Sequence, residues 1–346
     1  MAVTYVDEEV SYNIHTCSYY DQINHLIAPT ITELKRATKS YVRFNIFFML
    51  LLAVETLLLV TCFSIFMISS LLAMMLSAIF FTVFTYFMLR VYFLGKKSEA
   101  LKSIKDQFVD KCKEFLSYQE GIPECHIALA NACSKMAGAL QGMELRYYRA
   151  WPFAHFLGDF FEKFSCWWHW YDVFKMKELL LTTSVNEHIM LVKCEPTSLE
   201  LHTALANAYV MLSGLYVDPR KLHIDDDLPW SPFSAYEDFL KTKFRQTAEK
   251  AIEEFKILNE FAPNDPWIHT QLAYSYHDLQ MPMDEIREYQ VVIRLRPDDK
   301  EALYKLGVLY FQQGMNADGL RVYEELKQSH YKKAEALIQH YGAYSK

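Results

Sequence analysis

The sequence predicts an all-α protein: a transmembrane helical hairpin followed by a helical-repeat (α-solenoid) domain. Three observations carry that expectation. The 51 residues from Phe44 to Leu94 are almost wholly apolar, with Glu55 and Arg90 the only charges among them. Residues 266–297 superpose on 300–331 at an offset of 34, a period of stacked helical pairs. Ten glycines and eleven prolines in 346 residues are few, while alanine, leucine, glutamate, lysine and aromatics abound, which favours helix over strand.

Residues 1–43 read as an N-terminal cytosolic arm and helix. Up to Pro29 the chain is polar and Tyr-rich, and Pro29 predicts a stop. Thr30-Ile31-Thr32-Glu33 then fits a capping box that starts a helix running through Ser40 toward the apolar stretch. The acidic start, with no apolar run before residue 44, does not resemble a signal peptide.

Residues 44–95 read as the two-helix hairpin. Ser69-Ser70 splits the stretch into runs of about 46–68 and 71–94, each longer than the ~20 residues that cross a bilayer core. So short a link makes the two antiparallel. Lys35, Arg36, Lys39 and Arg43 precede the hairpin; Arg90, Lys96, Lys97, Lys102 and Lys105 follow it, and the turn has no cation. The positive-inside rule then leaves both termini cytosolic. Seven cysteines without framework spacing agree with a reducing compartment. Glu55 is the one acid in the apolar stretch. Counting back from the turn puts it beside Thr82, Thr85 and Tyr86, so it is read as a hydrogen bond across the hairpin or as a contact for self-association.

Residues 96–195 read as a helical, degenerate repeat-like region. Leu101, Ile104, Phe108, Cys112, Phe115 and Leu116 recur at helical spacing, and the helix ends near Gly121-Ile122-Pro123. A small-residue helix follows over about 124–142. Twelve of the 25 residues in 147–171 are aromatic, including Trp151, Trp167, Trp168 and Trp170; their helical spacing favours packing in a helical array over a membrane-surface helix. A further helix is expected over about 173–193. Cys166 and His169 share a face, but zinc needs three or four ligands, so they are read as core.

Residues 196–346 carry the repeats. Leu272/Leu306, Ala273/Gly307, Tyr276/Tyr310, Tyr289/Tyr323 and Val292/Leu326 match in type, and Pro263 and Pro297 each stand nine residues before the leucine. The pattern resembles the tetratricopeptide repeat: large residue, small residue and tyrosine in helix A, an aromatic in helix B, proline at the boundary. Ala251, Phe255 and Leu258 resemble a further helix B. Its helix A is found upstream, at Pro196, Leu205, Ala206 and Tyr209, so this repeat is read as split by an insertion over 216–233. Gly319 stands where the family usually has alanine and Tyr331 where it often has proline. A C-terminal capping helix is expected over about 332–344.

The resemblance implies a concave groove lined by the helix A faces, which binds a protein or peptide partner. Its positions here are Glu200, Thr203, Asn207, Val210 and Met211, then Trp267, Thr270, Tyr274, His277 and Asp278, then Glu301, Tyr304, Val308, Phe311 and Gln312. Asn207, Trp267, Tyr274, His277, Tyr304, Phe311 and Gln312 are the chief partner-binding candidates, since aromatic anchors among polar groups suit a peptide groove. The basic clamp that some members use on a C-terminal carboxylate is not reproduced: Thr203 stands where a lysine belongs and Glu301 opposes the charge.

Beyond residue 95 the chain carries 30 basic and 36 acidic side chains, which argues against nucleic acid. No phosphate loop, His-Glu-x-x-His or Gly-x-Ser-x-Gly occurs, so no enzyme activity, catalytic residue, metal or cofactor is expected. His223 with Asp225, Asp226 and Asp227 reads as a solvated acidic loop. The expected function is therefore a membrane-anchored scaffold or adaptor. Two alternatives stand beside it. The double span resembles the bilobed hairpins of inclusion-membrane proteins of intracellular bacteria, which implies binding of host proteins. The other is a membrane-associated enzyme or assembly factor that uses 147–171 as a pocket.

Overall fold

The computed structural model describes residues 4–61, 71–119, 121–147, 158–217 and 233–342. The Ser69-Ser70 turn, Trp151 and the rest of 148–157, and the insertion with His223 lie outside them. The described residues are helical and contain no strand: α1 Thr4–Thr61, α2 Leu71–Phe115, α3 Pro123–Ala139, α4 Gly158–Cys194, α5 Leu199–Tyr216, α6 Phe233–Phe261, α7 Pro266–Asp278, α8 Pro282–Leu295, α9 Lys300–Gln312, α10 Asn316–Gln328 and α11 Ala334–Ile338. They form two compact units, 1–184 with 222–235 and 185–221 with 236–346.

In the first unit the predicted break at Pro29 is absent, because α1 runs through it. Proline removes one backbone hydrogen bond and costs about 3 kcal/mol in a helix interior. Burial on both sides offsets that cost: Ile27, Thr30 and Leu34 are all in the core. Thr30 makes no cap either. Its Oγ1 donates back to the Leu26 carbonyl at 2.8 Å, as Thr32 does to Ala28 at 3.0 Å.

α1 and α2 pack antiparallel. Phe44 meets Phe93 (4.7 Å between ring centroids), Phe48 meets Tyr86 (5.5 Å), and the Thr82 hydroxyl donates to Glu55 Oε1 (2.8 Å), so numbers rise on one helix as they fall on the other. Both helices are long and apolar enough to cross a membrane, and their apolar stretches are not buried within the protein. Phe47, Leu50, Val54, Leu57, Phe80, Phe84 and Phe87 are all exposed, which makes a continuous apolar belt.

Beyond the belt α2 turns amphipathic: Leu101, Ile104 and Phe108 are buried, as are Leu34 of α1 and Ala130, Ala132 and Cys133 of α3, a helix that packs against both α1 and α2. The helically spaced aromatic stretch within 147–171 and the further helix expected over about 173–193 are, over the described residues, one helix, α4. Cys166 and His169 are buried in this core. Burial pushes the Cys166 thiol up to about 12 and His169 down, both toward the uncharged form.

The second unit is built of helix pairs. α7/α8 and α9/α10 repeat at the predicted offset. Asp265 and Asp299, each two residues after a proline, cap the A helices by accepting from Trp267 N (2.9 Å) and Ala302 N (3.0 Å). The A helices end at Gln280 (φ 57°) and Gly314 (φ 73°), equivalent residues in the left-handed region. There Met281 N reaches Tyr276 O (2.9 Å) and Met315 N reaches Tyr310 O (2.8 Å).

A histidine joins two of the pairs internally. His202 ties α5 to Glu254 of α6 (2.7 Å) and His269 ties α7 to Glu288 of α8 (2.6 Å); each ring's other nitrogen faces a proline carbonyl, Pro196 at 3.0 Å and Pro263 at 3.1 Å. The third pair has buried Leu303 at that position. The last pair closes on α11, which is only Ala334–Ile338, as Leu337 and Val322 pack onto Gly307.

Candidate functional site

A cleft of about 300 Å³ opens between α7 and α9, with helix B residues at its base. Four of the sequence-predicted residues meet there: Tyr274 and His277 from α7, Tyr304 and Gln312 from α9, with Val308 beside them. Their spacing explains this. Positions 274 and 277, and 304, 308 and 312, recur at helical intervals on one face, while Leu272, Tyr276, Leu306 and Tyr310 on the other face are buried.

The charges inside the cleft come from residues that the sequence reading did not single out. Glu285, on α8, is 5 % exposed, and both its oxygens lie 3.1 Å from His277 Nδ1. Burial pushes its carboxyl up, against the opposing pull of His277. Lys305 donates to the Tyr274 hydroxyl at 3.2 Å and lies over that ring at 4.6 Å. Tyr289 forms part of the base, and burial raises its pKa. The helix A pattern could not reveal Glu285 or Tyr289, which come from helix B. The signal available was an acid eight residues after His277, across the A–B turn.

The other candidates lie elsewhere. Trp267 stands in the first turn of α7, half-exposed, with its ring edge-on to Phe255 (6.1 Å). Asn207 is exposed on α5. Phe311 is 2 % exposed and points away from the cleft, its ring against Gly319 and edge-on to Tyr341 (5.7 Å), so it packs the core. Glu301 is not part of the cleft lining; it is held by Lys333 (2.8 Å) and the Tyr331 hydroxyl, and those bonds lower its pKa. Glu55 is fixed on α1 by Thr82, while its Oε2 is buried without a partner.

The cleft therefore offers two aromatic faces, a buried acceptor, an ammonium and an exposed amide. That combination can grip a side chain between rings while hydrogen-bonding a backbone. Among the described residues no three His, Cys, Asp or Glu side chains are grouped to hold a metal.

No protein-family profile matches the sequence, and no characterised protein matches it. Solved structures that resemble the chain are repeat proteins of low identity. TTC0263, a thermophilic TPR protein of Thermus thermophilus, is 16 % identical and aligns over 72 % of this chain and 95 % of its own, with a TM-score of 0.33. YrrB, a TPR protein with an unusual peptide-binding site, is 12 % identical over 46 % and 83 %, with a TM-score of 0.26. The TPR2AB domain of yeast Sti1, in complex with pHSP90, is 15 % identical over 74 % and 95 %, with a TM-score of 0.25. The repeat fold of this chain rests on its own helix pairs and 34-residue period.

Proposed function

We propose that this chain is a membrane-anchored helical-repeat scaffold that holds a protein or peptide partner on the cytosolic side. The cleft is the observation that carries the reading: Tyr274 and Tyr304 provide the anchoring area, and Glu285, Lys305 and Gln312 the orienting polar groups. The exposed apolar belt of α1 and α2 supports the anchor, because apolar surface of that extent is costly in water. The cation-rich flanks at 35–43 and 96–105 support cytosolic termini. A role for Glu55 in self-association belongs to the same reading. No reaction is assigned to the chain.

The test is capture of partners by the full chain in lipid nanodiscs, with and without Tyr274→Ala plus Tyr304→Ala. Partners lost from the double variant support the cleft; partners retained in full remove it. Orientation is tested at the exposed thiol of Cys194. A membrane-impermeant maleimide should label it only after the cells are permeabilised. Labelling in intact cells would reverse the topology.

A further inference from the structure

A second cavity, of about 640 Å³, lies against α1 where its polar part meets the apolar belt. Lys35, Arg36, Lys39 and Arg43 line it with Thr32, Val42, Ile46 and Tyr147. On α1 the lining positions, 32, 35, 36, 39, 42, 43 and 46, recur about once per turn, so they form one stripe along the helix. Rotation of the stripe is set by the opposite face, where Leu34 and Thr38 are buried at 0 % and 1 % exposure.

Each of the four cations is exposed, and among the described residues none has an ion pair or hydrogen bond. On α2, Lys96 and Lys102 are likewise exposed and unpaired, but two other cations are engaged. Lys97 pairs with buried Asp172 and lies over the Tyr41 ring (4.6 Å), and Arg90 lies between Tyr86 (5.8 Å) and Trp168 (5.9 Å). Positive-inside topology requires cations on this side but not their gathering, unpaired, around one cavity.

Tyr147 adds an independent observation. Its hydroxyl is buried with no hydrogen bond of good geometry, and burial, partly offset by Thr38, pushes its pKa up to about 12, so it is a neutral donor. Thr38 lies within hydrogen-bonding reach of that hydroxyl and pulls its pKa back down, although Thr38 gives its own proton to the Leu34 carbonyl at 2.8 Å. A buried neutral donor lining the same cavity as four unpaired cations is arranged for an anionic acceptor. Val42 and Ile46 continue the stripe into the exposed apolar belt, so an acyl chain attached to that acceptor would run along the same face.

We propose that this cavity binds the phosphate-bearing headgroup of an anionic membrane phospholipid, with Lys35, Arg36, Lys39 and Arg43 on the phosphate and Tyr147 donating to it. The inference rests on the membrane-anchor reading. Binding would set the depth and rotation of the hairpin and favour membranes rich in such lipids.

The test uses the full chain in nanodiscs of phosphatidylcholine, with and without a phosphatidylinositol monophosphate, and counts retained lipid by native mass spectrometry. The anionic lipid should be retained at least about tenfold over phosphatidylcholine, given about fivefold for each cation. Lys35→Gln/Lys39→Gln/Arg43→Gln should abolish the preference, Tyr147→Leu should weaken it several-fold with every charge kept, and Lys96→Gln/Lys102→Gln/Lys105→Gln should leave it intact. Equal loss in both triple variants would mean a diffuse surface potential and overturn the site, as would no loss with Tyr147→Leu. Displacement by inorganic phosphate or a free inositol phosphate would overturn the lipid as the source. Alkaline carbonate extraction separates the two readings. A chain that stays in the pellet but shows no lipid preference fails the site alone; a chain released from the membrane fails the anchor as well.

Discussion

Glu254 Oε2 lies 2.7 Å from His202 Nδ1, across 52 residues of sequence, while His202 Nε2 faces the Pro196 carbonyl at 3.0 Å. With an acceptor at each nitrogen, the ring satisfies both only as the doubly protonated imidazolium. Burial opposes that charge, but the bonds to Glu254 and Pro196 outweigh it, and the pKa is raised above the ordinary 6.5. A raised folded-state pKa means that the contribution is full below about pH 6.5 and is lost as pH rises through the folded value. Thermal melts of the full chain in detergent should show stability falling on that alkaline side. His202→Ala should cost about 1.5–3 kcal/mol at pH 6 and reduce the alkaline fall. An unchanged pH profile in the variant would refute the linkage.

Gln280 and Gly314 occupy equivalent left-handed positions at the A–B turns. Glycine adopts that conformation without strain, whereas a side chain costs about 1 kcal/mol or more there. Gln280→Gly should therefore stabilise by up to about 1 kcal/mol, and Gly314→Ala should destabilise by a similar amount. Chemical denaturation of the two variants checks both signs.

A Cβ on Gly319 would lie 2.5 Å from Cε1 of the buried Phe311 ring. Alanine, usual at this position in tetratricopeptide repeats, would therefore fit only if the ring shifts. Gly319→Ala should cost about 1–3 kcal/mol. Phe311→Leu in the same chain should recover part of that loss, and a double-mutant cycle measures the coupling.

Glu55 Oε2 is buried with no partner while Oε1 accepts from Thr82. If the free oxygen meets a second hairpin, Glu55→Leu should reduce the crosslinked dimer of the full chain in detergent. An unchanged crosslinked fraction would exclude self-association through this residue.

The repeats were legible because they depend on short-range pattern: prolines at equal distances from leucines, small residues opposite large ones, and a 34-residue period. The histidine links followed the same logic and were missed. His202 and His269 each stand six residues after a proline, but their acids lie 52 and 19 residues away, and the insertion hides the equivalence. Pro29 misled because its cost is local while the burial that offsets it comes from other helices. Phe311 was placed in the groove by its position in the repeat, but its ring packs on Gly319, eight residues on.

By itself, then, the sequence determined the helical class, the apolar hairpin and the repeat, since each follows from the spacing of residues along a helix. Only the tertiary structure decided which groups meet. Glu285 on α8 comes under Tyr274 of α7 and Tyr304 of α9, and Tyr147 comes beside a cation stripe more than a hundred residues earlier. Such meetings depend on how helices rotate and pack, and that is settled by burial summed over the whole unit rather than by any local pattern.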